Sequence, residues 1–138
     1  MTNSKSILRL SAALAIVFGG LWTGVSEAQD QPIKRTELLR ADLAGAAGME
    51  AVIYIADVMP GAAGGRHTHY GDEFVYILDG VLVVTPDGKE PVTLKAGETA
   101  HLPPDVIHAA KNGSASASAK VLVFLAVEKG KPLAEPAK

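Results

Sequence analysis

The chain has 138 residues, enough for one domain, and contains no cysteine. A disulfide framework is therefore excluded, and any bound metal ion must have nitrogen and oxygen ligands. Acidic residues number 15 and basic residues 13. This nearly balanced charge argues against a surface for nucleic acid or for anionic membrane.

The first 28 residues have the three-part pattern of a secretory signal peptide. Lys5 and Arg9 give a basic start, an apolar run follows over residues 10–22, and the small residues Ser26 and Ala28 fit a cleavage site. A retained membrane anchor is the alternative, but the run falls short of the roughly 20 apolar residues that span a bilayer. We expect cleavage after Ala28, no membrane association afterwards, and a periplasmic or secreted mature chain.

The mature chain begins with polar residues 29–35, which predict a flexible lead-in. Residues 36–42 are typical of a short edge strand, and the small, glycine-rich residues 43–48 are typical of a loop. Residues 49–59 are rich in β-branched side chains and are apolar on both faces for much of their length. This pattern predicts a strand buried inside a two-layer β structure.

The next stretch holds three candidate metal ligands within seven residues: His67, His69 and Glu73. Side chains two positions apart on a strand point to the same face, so both imidazoles can reach one ion. A tight turn predicted at residues 70–72 brings Glu73, at the start of the next strand, back toward the histidines. His108, on a later predicted strand, is the candidate for a fourth ligand.

Short strands separated by glycine, proline and asparagine turns fill the rest of the chain. These strands are predicted at residues 73–78, 81–85, 91–94, 99–102, 106–110 and 120–128. The small residues 114–119 predict a solvated loop, and residues 129–138 predict a polar tail. About eight strands with no helical period predict an all-β antiparallel sandwich or barrel, a single domain over residues 36–128.

Two spaced motifs make the sequence resemble the cupin family. The first motif is glycine, five residues, His-x-His, three or four residues, glutamate, six residues and glycine, and it is matched by Gly61, His67, His69, Glu73 and Gly80. The second motif is matched by Gly97, Pro103, His108 and Asn112. Asp105 departs from this motif because it replaces a glycine, but aspartate tolerates turn conformations. The resemblance implies a single antiparallel jelly-roll β-barrel.

The resemblance also implies that one divalent transition metal ion is bound by His67, His69, Glu73 and His108. Three imidazoles and one carboxylate suit Fe, Mn, Ni, Cu or Zn, and the sequence does not choose among them. Four protein ligands on an octahedral ion leave two positions for water, substrate or dioxygen. Open positions of this kind are typical of a catalytic metal site.

The resemblance to quercetin-dioxygenase-like single-domain cupins implies a metal-dependent oxidoreductase acting on a small molecule, with Glu73 as a catalytic base. An isomerase, lyase or decarboxylase would use the same ligands, and a non-enzymatic module binding a metal or a small ligand is the other alternative. Aliphatic strands indicate an apolar pocket and hence an apolar or aromatic substrate. Tyr54 is expected in the core, and His101 at the surface or beside the ligands. We also expect a homodimer that covers the edge strands.

Overall fold

A computed structural model describes residues 32–138, and every regular element in that range is a β-strand. The predicted signal peptide and residues 29–31 of the predicted lead-in lie outside the described residues, whereas residues 33–35 of that lead-in belong to the first strand. In chain order the strands are β1 (Ile33–Asp42), β2 (Met49–Val58), β3 (His67–Thr68), β4 (Gly71–Asp79), β5 (Val81–Pro86), β6 (Val92–Lys95), β7 (Thr99–Leu102), β8 (His108–Asn112), β9 (Ala119–Glu128) and β10 (Glu135–Pro136). Within this range no helix is long and apolar enough to cross a membrane.

The strands form two five-stranded sheets with a shared core. The first sheet has the order β1-β2-β9-β4-β7, and the second has the order β10-β3-β8-β5-β6. Every pairing between the strands is antiparallel. The predicted all-β jelly-roll architecture is therefore confirmed.

Alternating side chains fill the space between the sheets. Along β4 and β9, buried residues alternate with more exposed ones over most of each strand, which is the pattern of a sheet with one face on the core. Val52, Ile77, Leu125 and Val127 have no exposed surface at all. Burying a side chain of this size contributes roughly 1.5–3 kcal/mol, so this aliphatic layer is the main source of cohesion.

Two strands of the first sheet begin earlier than the sequence predicts. β1 begins at Ile33 rather than at residue 36, because Ile33 already pairs with Val58 of β2. β4 begins at Gly71 rather than at Glu73, so the tight turn predicted at residues 70–72 is shorter than expected. Gly71 has φ 156°, and a Cβ there would lie 2.0 Å from the carbonyl oxygen of Ala126, so only glycine lets the two backbones approach this closely.

Residues 129–138, predicted as a polar tail, run along the second sheet. Within them, β10 pairs with β3, the strand that carries the first candidate ligand. The ammonium group of Lys131 lies 5.0 Å from the centre of the Tyr70 ring, a cation–π contact just before β4. The end of the chain is thus held against the segment that contains the candidate site.

Candidate metal centre

The four predicted ligands come together between the two sheets. In the second sheet, His67 of β3 is the direct pairing partner of His108 of β8. His69 lies just beyond the end of β3, and Glu73 lies on β4 of the first sheet. Each sheet therefore contributes to the cluster, and the cluster lies where the two sheets face each other.

The side-chain atoms of these residues are close enough to share one ion. One ring nitrogen from each of His67, His69 and His108 lies within 4.8 Å of the other two. The Oε2 atom of Glu73 lies 3.2 Å from Nε2 of His69 and 3.1 Å from Nε2 of His108. His69, Glu73 and His108 are 5%, 6% and 2% exposed, so bulk water does not separate them.

Backbone carbonyl groups fix the orientation of all three imidazole rings. The Nδ1 atoms lie beside the carbonyl oxygens of Gly65 (for His67), Leu133 (for His69) and Val106 (for His108). A carbonyl oxygen only accepts hydrogen bonds, so Nδ1 must carry the hydrogen and donate it. In a neutral ring this leaves Nε2 with a free lone pair, which is the arrangement that metal-binding histidines commonly have.

One buried nitrogen of the cluster lacks a hydrogen-bonding partner within residues 32–138. The Nε2 atom of His69 is buried and has no hydrogen-bonding partner among the described residues, although the Glu73 carboxylate is only 3.2 Å away. A lone pair facing a carboxylate is repulsive unless a proton or a metal cation lies between them. Three imidazole nitrogens and one carboxylate oxygen therefore fit a divalent transition metal ion, which would satisfy all of them at once.

The local charges suit such an ion. Burial raises the pKa of Glu73, but the adjacent His108 and His69 rings, whose protonated forms favour the carboxylate, together outweigh burial and bring the pKa down to about 2. Burial is the main reason that the pKa of His67 lies below its ordinary value. For His108, burial lowers the pKa, but the contact with Glu73, the hydrogen bond to the Val106 carbonyl and the charge of Glu73 together outweigh burial and raise the pKa. Glu73 is therefore ionised and His67 neutral at pH 7, as metal binding requires, whereas the raised pKa of His108 favours a proton that an ion would have to displace.

A strained turn leads into the strand that carries His108. Asp105 has φ 64°, and it is the one non-glycine residue with a positive φ in the described range. The left-handed conformation explains why glycine is the usual residue at this position of the motif, and aspartate is one of the few others that adopt it. His108, the predicted ligand after this turn, pairs with His67 and lies 3.1 Å from Glu73, so Asp105 does not displace it from the cluster.

Asn112 joins three segments at the other end of β8. Its side chain is 4% exposed. The Nδ2 atom donates to the carbonyl oxygens of Val58, Met59 and Ala117, at 3.0, 3.2 and 2.8 Å, and Oδ1 accepts from the backbone N–H of Ser114 at 2.8 Å. The asparagine of the second motif thus ties β8 to the end of β2 and to the loop before β9.

A cavity of about 60 Å³ borders the cluster. His67, Glu73 and His108 form part of its wall, and most of the remaining wall is aliphatic. Two polar residues outside the predicted ligand set, Arg35 and Tyr54, also line it. Tyr54 is buried in the core as expected, but its place in the cavity wall and that of Arg35 were not predicted. Arg35 faces inward because it pairs with Ala56 of β2, and this pairing has no signal in the residues around Arg35.

The fourth histidine lies on the opposite face of the first sheet. The Nε2 atom of His101 is 2.7 Å from Oδ1 of Asp72, and its ring stacks on Phe74 at 4.6 Å between ring centres. Both the histidine and the aspartate are well exposed. His101 therefore has the predicted surface position and takes no part in the cluster.

Comparison with known proteins agrees with this architecture. A family model that describes the cupin domain matches residues 54–125, more than half of the chain. A sequence search finds no match among curated proteins.

Solved structures also resemble the fold. A cupin superfamily protein from Desulfitobacterium hafniense has a TM-score of 0.60 and 20% identity over 74% of this chain and 84% of its own. A conserved Streptococcus pyogenes protein of unknown function has a TM-score of 0.57 and 25% identity over 74% and 79%. The DMSP lyase DddQ from Ruegeria pomeroyi has a TM-score of 0.61 and 18% identity, over 77% of this chain and 52% of the lyase. The family match, the two facing sheets and the three-histidine cluster lead to one conclusion: the chain belongs to the cupin family.

Proposed function

We propose that this cupin binds one divalent transition metal ion and acts as a dioxygenase-like enzyme on a small, largely apolar molecule. His67, His69, Glu73 and His108 would hold the ion. The observation that carries the proposal is the convergence of imidazole nitrogens, with Nδ1 already committed to carbonyl groups, on the ionised carboxylate of Glu73. A bound ion of this kind supplies a Lewis acid with open positions for oxygen ligands.

The chain's own residues support proton transfer and exclusion of water. Oε2 of Glu73 lies within 3.2 Å of two imidazole nitrogens, and Glu73 lines the cavity, so we infer that its carboxylate accepts a proton from a substrate placed there. Aliphatic side chains such as Val75, Leu102 and Val123 line the same space. They keep the surroundings of the carboxylate apolar, which strengthens its interactions with a bound molecule.

Two other functions use the same residues. An isomerase, lyase or decarboxylase would need the same ligand set and the same carboxylate, and DddQ, a structural relative at 18% identity, is a lyase by name. A non-enzymatic module that binds a metal or a small ligand is favoured by the modest cavity of about 60 Å³. The likeness in fold alone does not choose among these activities.

Oxygen uptake distinguishes these functions. The mature chain, loaded separately with Fe(II), Mn(II), Ni(II), Cu(II) or Zn(II), is incubated with phenols and 1,3-diketones while oxygen consumption and product mass are recorded. We expect oxygen-dependent turnover with at least one metal, loss of turnover in His108→Ala, and normal turnover in the matched surface variant His101→Ala. Product formation without oxygen uptake would favour the lyase or isomerase alternative. Tight metal binding with no turnover would favour the binding module.

We also propose that the mature chain is exported and pairs with a second copy of itself. The signal-peptide pattern of residues 1–28 supports export. Exposed apolar side chains on the outer face of β4 support self-association, since Phe74, Tyr76 and Leu78 are 40%, 41% and 43% exposed. Sedimentation should show a dimer that Tyr76→Glu weakens, and a monomer at all concentrations would reject the pairing. Cell fractionation tests export, and retention of the full-length chain in the cytoplasm would refute it.

A further inference from the structure

The cavity beside the candidate metal centre has a second polar end. Arg35 of β1 and Tyr54 of β2 line it together with His67, Glu73 and His108. Tyr54 is 6% exposed, whereas Arg35 is exposed to solvent and so lies where the cavity meets the surface. The rest of the wall consists of aliphatic side chains and Gly64. A molecule in this cavity would thus contact the proposed metal ligands on one side, and the guanidinium group of Arg35 and the phenol of Tyr54 on another.

The register of β1 and β2 explains why both groups face inward. Arg35 pairs with Ala56, and paired residues in an antiparallel sheet point to the same face. Ala56 and Tyr54 are two apart on β2 and also share that face. Their common face is the one that lines the cavity.

The guanidinium group of Arg35 is available to a ligand. None of the ion pairs formed within residues 32–138 involves Arg35. Glu37, the next inward position on β1, is held by Arg40 at 2.9 Å. The nearest candidate carboxylate on the same strand is therefore already paired with another arginine.

Tyr54 is a hydrogen-bond donor in this setting. Burial raises the pKa of its phenol to about 12, the charge of Glu73 acts in the same direction, and the charge of Arg35 and a hydrogen bond with it act against both. The phenol therefore keeps its proton at neutral pH. Arg35 and Tyr54 together offer N–H and O–H donors and a positive charge.

We propose that Arg35 and Tyr54 form a subsite for the carboxylate of a small substrate, so that the preferred substrates are short carboxylic acids with an apolar middle. A guanidinium group matches a carboxylate with two parallel N–H donors, and the phenol adds a third. The other end of such a molecule would face the metal ligands, and this part of the inference rests on the proposed function. At roughly 10–15 Å³ for each enclosed water-sized group, the cavity holds about four to six such groups, so the acid must be short or must project from the mouth.

Binding of propionate and of its neutral analogue propionamide tests the subsite. Both have nearly the same shape, and only propionate has a charge. Affinities are measured by ligand-observed NMR titration with the zinc-loaded protein and with the metal-free protein. We expect propionate to bind about tenfold more tightly than propionamide to the zinc-loaded wild type, because charge-assisted hydrogen bonds exceed neutral ones. The preference should persist, in weaker form, without zinc.

Three variants locate the source of the preference. Arg35→Gln should remove it, and Tyr54→Phe should reduce it a few-fold. Lys34→Gln is the matched control, since it removes one positive charge from the neighbouring position on the opposite face of β1, and it should keep the preference. Thermal unfolding of each variant verifies that it folds, and Arg35→Lys should restore part of the preference if Arg35→Gln proves unstable.

The outcomes separate this inference from the proposed function. Equal affinities for propionate and propionamide, or no detectable binding of either, would overturn the subsite. A preference that survives Arg35→Gln but disappears when zinc is removed would also overturn it, because the carboxylate would then be a metal ligand. A protein that binds no metal but still loses its preference in Arg35→Gln would support the subsite and refute the proposed function.

Discussion

Two histidine–carboxylate pairs lie on opposite faces of the first sheet. Asp72 and Glu73 are consecutive on β4, so the pleat sends their side chains to opposite sides. Outside, Nε2 of His101 is 2.7 Å from Asp72, and the two side chains are 47% and 40% exposed. Inside, Nε2 of His108 is 3.1 Å from Glu73, and the side chains are 2% and 7% exposed. The same two chemical groups thus meet in water on one face and in the core on the other.

The difference in surroundings decides what each pair can do. Outside, water can replace either partner, so the pair contributes at most about 1 kcal/mol. Inside, a carboxylate and several imidazoles are removed from water, and any group left without a partner costs several times more. His69 also approaches Glu73, which gives the carboxylate two nitrogen neighbours and leaves one of these nitrogens without a hydrogen bond. Polar groups arranged at such cost are typical of functional sites.

Metal affinity gives the largest expected contrast between the two pairs. His108→Ala removes a proposed ligand, and we expect the dissociation constant of Zn(II) to rise by at least about 100-fold, since loss of a supporting residue alone costs 10–100-fold. His101→Ala should leave the dissociation constant unchanged. Competition with a chromogenic chelator measures both. Equal changes in the dissociation constant for the two substitutions would show that the inner and outer faces of the first sheet do not differ in metal binding.

Acid stability gives the second contrast. The pKa of Glu73 is about 2 in the folded protein and near 4.5 in an unfolded chain, so the carboxylate stabilises the fold above pH 4.5 and loses this effect as the pH falls toward 2. The difference corresponds to about 3 kcal/mol. Urea unfolding of the metal-free protein should show that its free energy of unfolding decreases as the pH falls. Glu73→Gln should weaken this dependence on pH. Asp72→Asn should keep the loss of stability at low pH. If the free energy of unfolding of Glu73→Gln depends on pH as strongly as that of the wild type, Glu73 is not the cause of the loss.

The same contrast between buried and exposed polar groups applies to a neutral side chain, the buried amide of Asn112. Asn112→Ala leaves the carbonyl groups of Val58, Met59 and Ala117 without a shared donor, and we expect a loss of about 2 kcal/mol in the free energy of unfolding. Lys111 precedes it on β8 and is exposed, so Lys111→Ala should change the free energy of unfolding by less than about 0.5 kcal/mol. Chemical denaturation of the two variants compares them. Similar losses would show that the hydrogen bonds of Asn112 are not the cause.

Residues 133–138 test how the ring of His69, the other histidine beside Glu73, is oriented. Deleting residues 133–138 removes the carbonyl group of Leu133 that accepts from Nδ1 of His69, and it also removes β10. We expect metal affinity to fall about tenfold, because a ligand ring without its supporting hydrogen bond is less well oriented. Deleting only residues 137–138 keeps the acceptor and the strand, so isothermal titration should show near-normal affinity. An unchanged affinity in the longer deletion would show that the tail does not orient His69.

The smallest expected effect concerns the turn before His108. Asp105 has φ 64°, which glycine adopts without strain, so Asp105→Gly should raise the free energy of unfolding by at most about 1 kcal/mol and leave metal affinity unchanged. Asp105→Ala should instead lower stability by about 1 kcal/mol, since alanine lacks the polar side chain that helps aspartate occupy this region. Thermal unfolding with and without Zn(II) measures both. A large loss of affinity in Asp105→Gly would show that Asp105 itself supports the ligand.

The sequence predicted the parts of the site that depend on local spacing. Strand alternation predicted that His67 and His69 lie together, and they do, although His69 lies just beyond the end of β3. The two motifs supplied Glu73 and His108, and the structure brings all four residues together. The strands were predicted in the correct order because turns rich in glycine and proline separate them, with boundaries wrong by about two or three residues at several ends.

Contacts between distant segments were not predicted. Leu133 lies 64 positions from His69, and a backbone carbonyl group has no residue signature in the sequence. β10 has two residues, too few for an alternating pattern. Arg35 was assigned to a flexible lead-in, because its inward position depends on the pairing of β1 with β2 rather than on the residues around it. Pairing partners outside a local window decide all three features.

X-ray absorption spectroscopy of the metal-loaded protein tests the central claim most directly. A chain of residues 29–138 is loaded with one equivalent of Zn(II) or Mn(II), and the fine structure at the metal edge is recorded for the wild type and for His101→Ala. We predict one ion per chain with three imidazole ligands and one carboxylate oxygen in both proteins. An ion that binds without imidazole scattering, or failure to retain one ion per chain, would contradict the account.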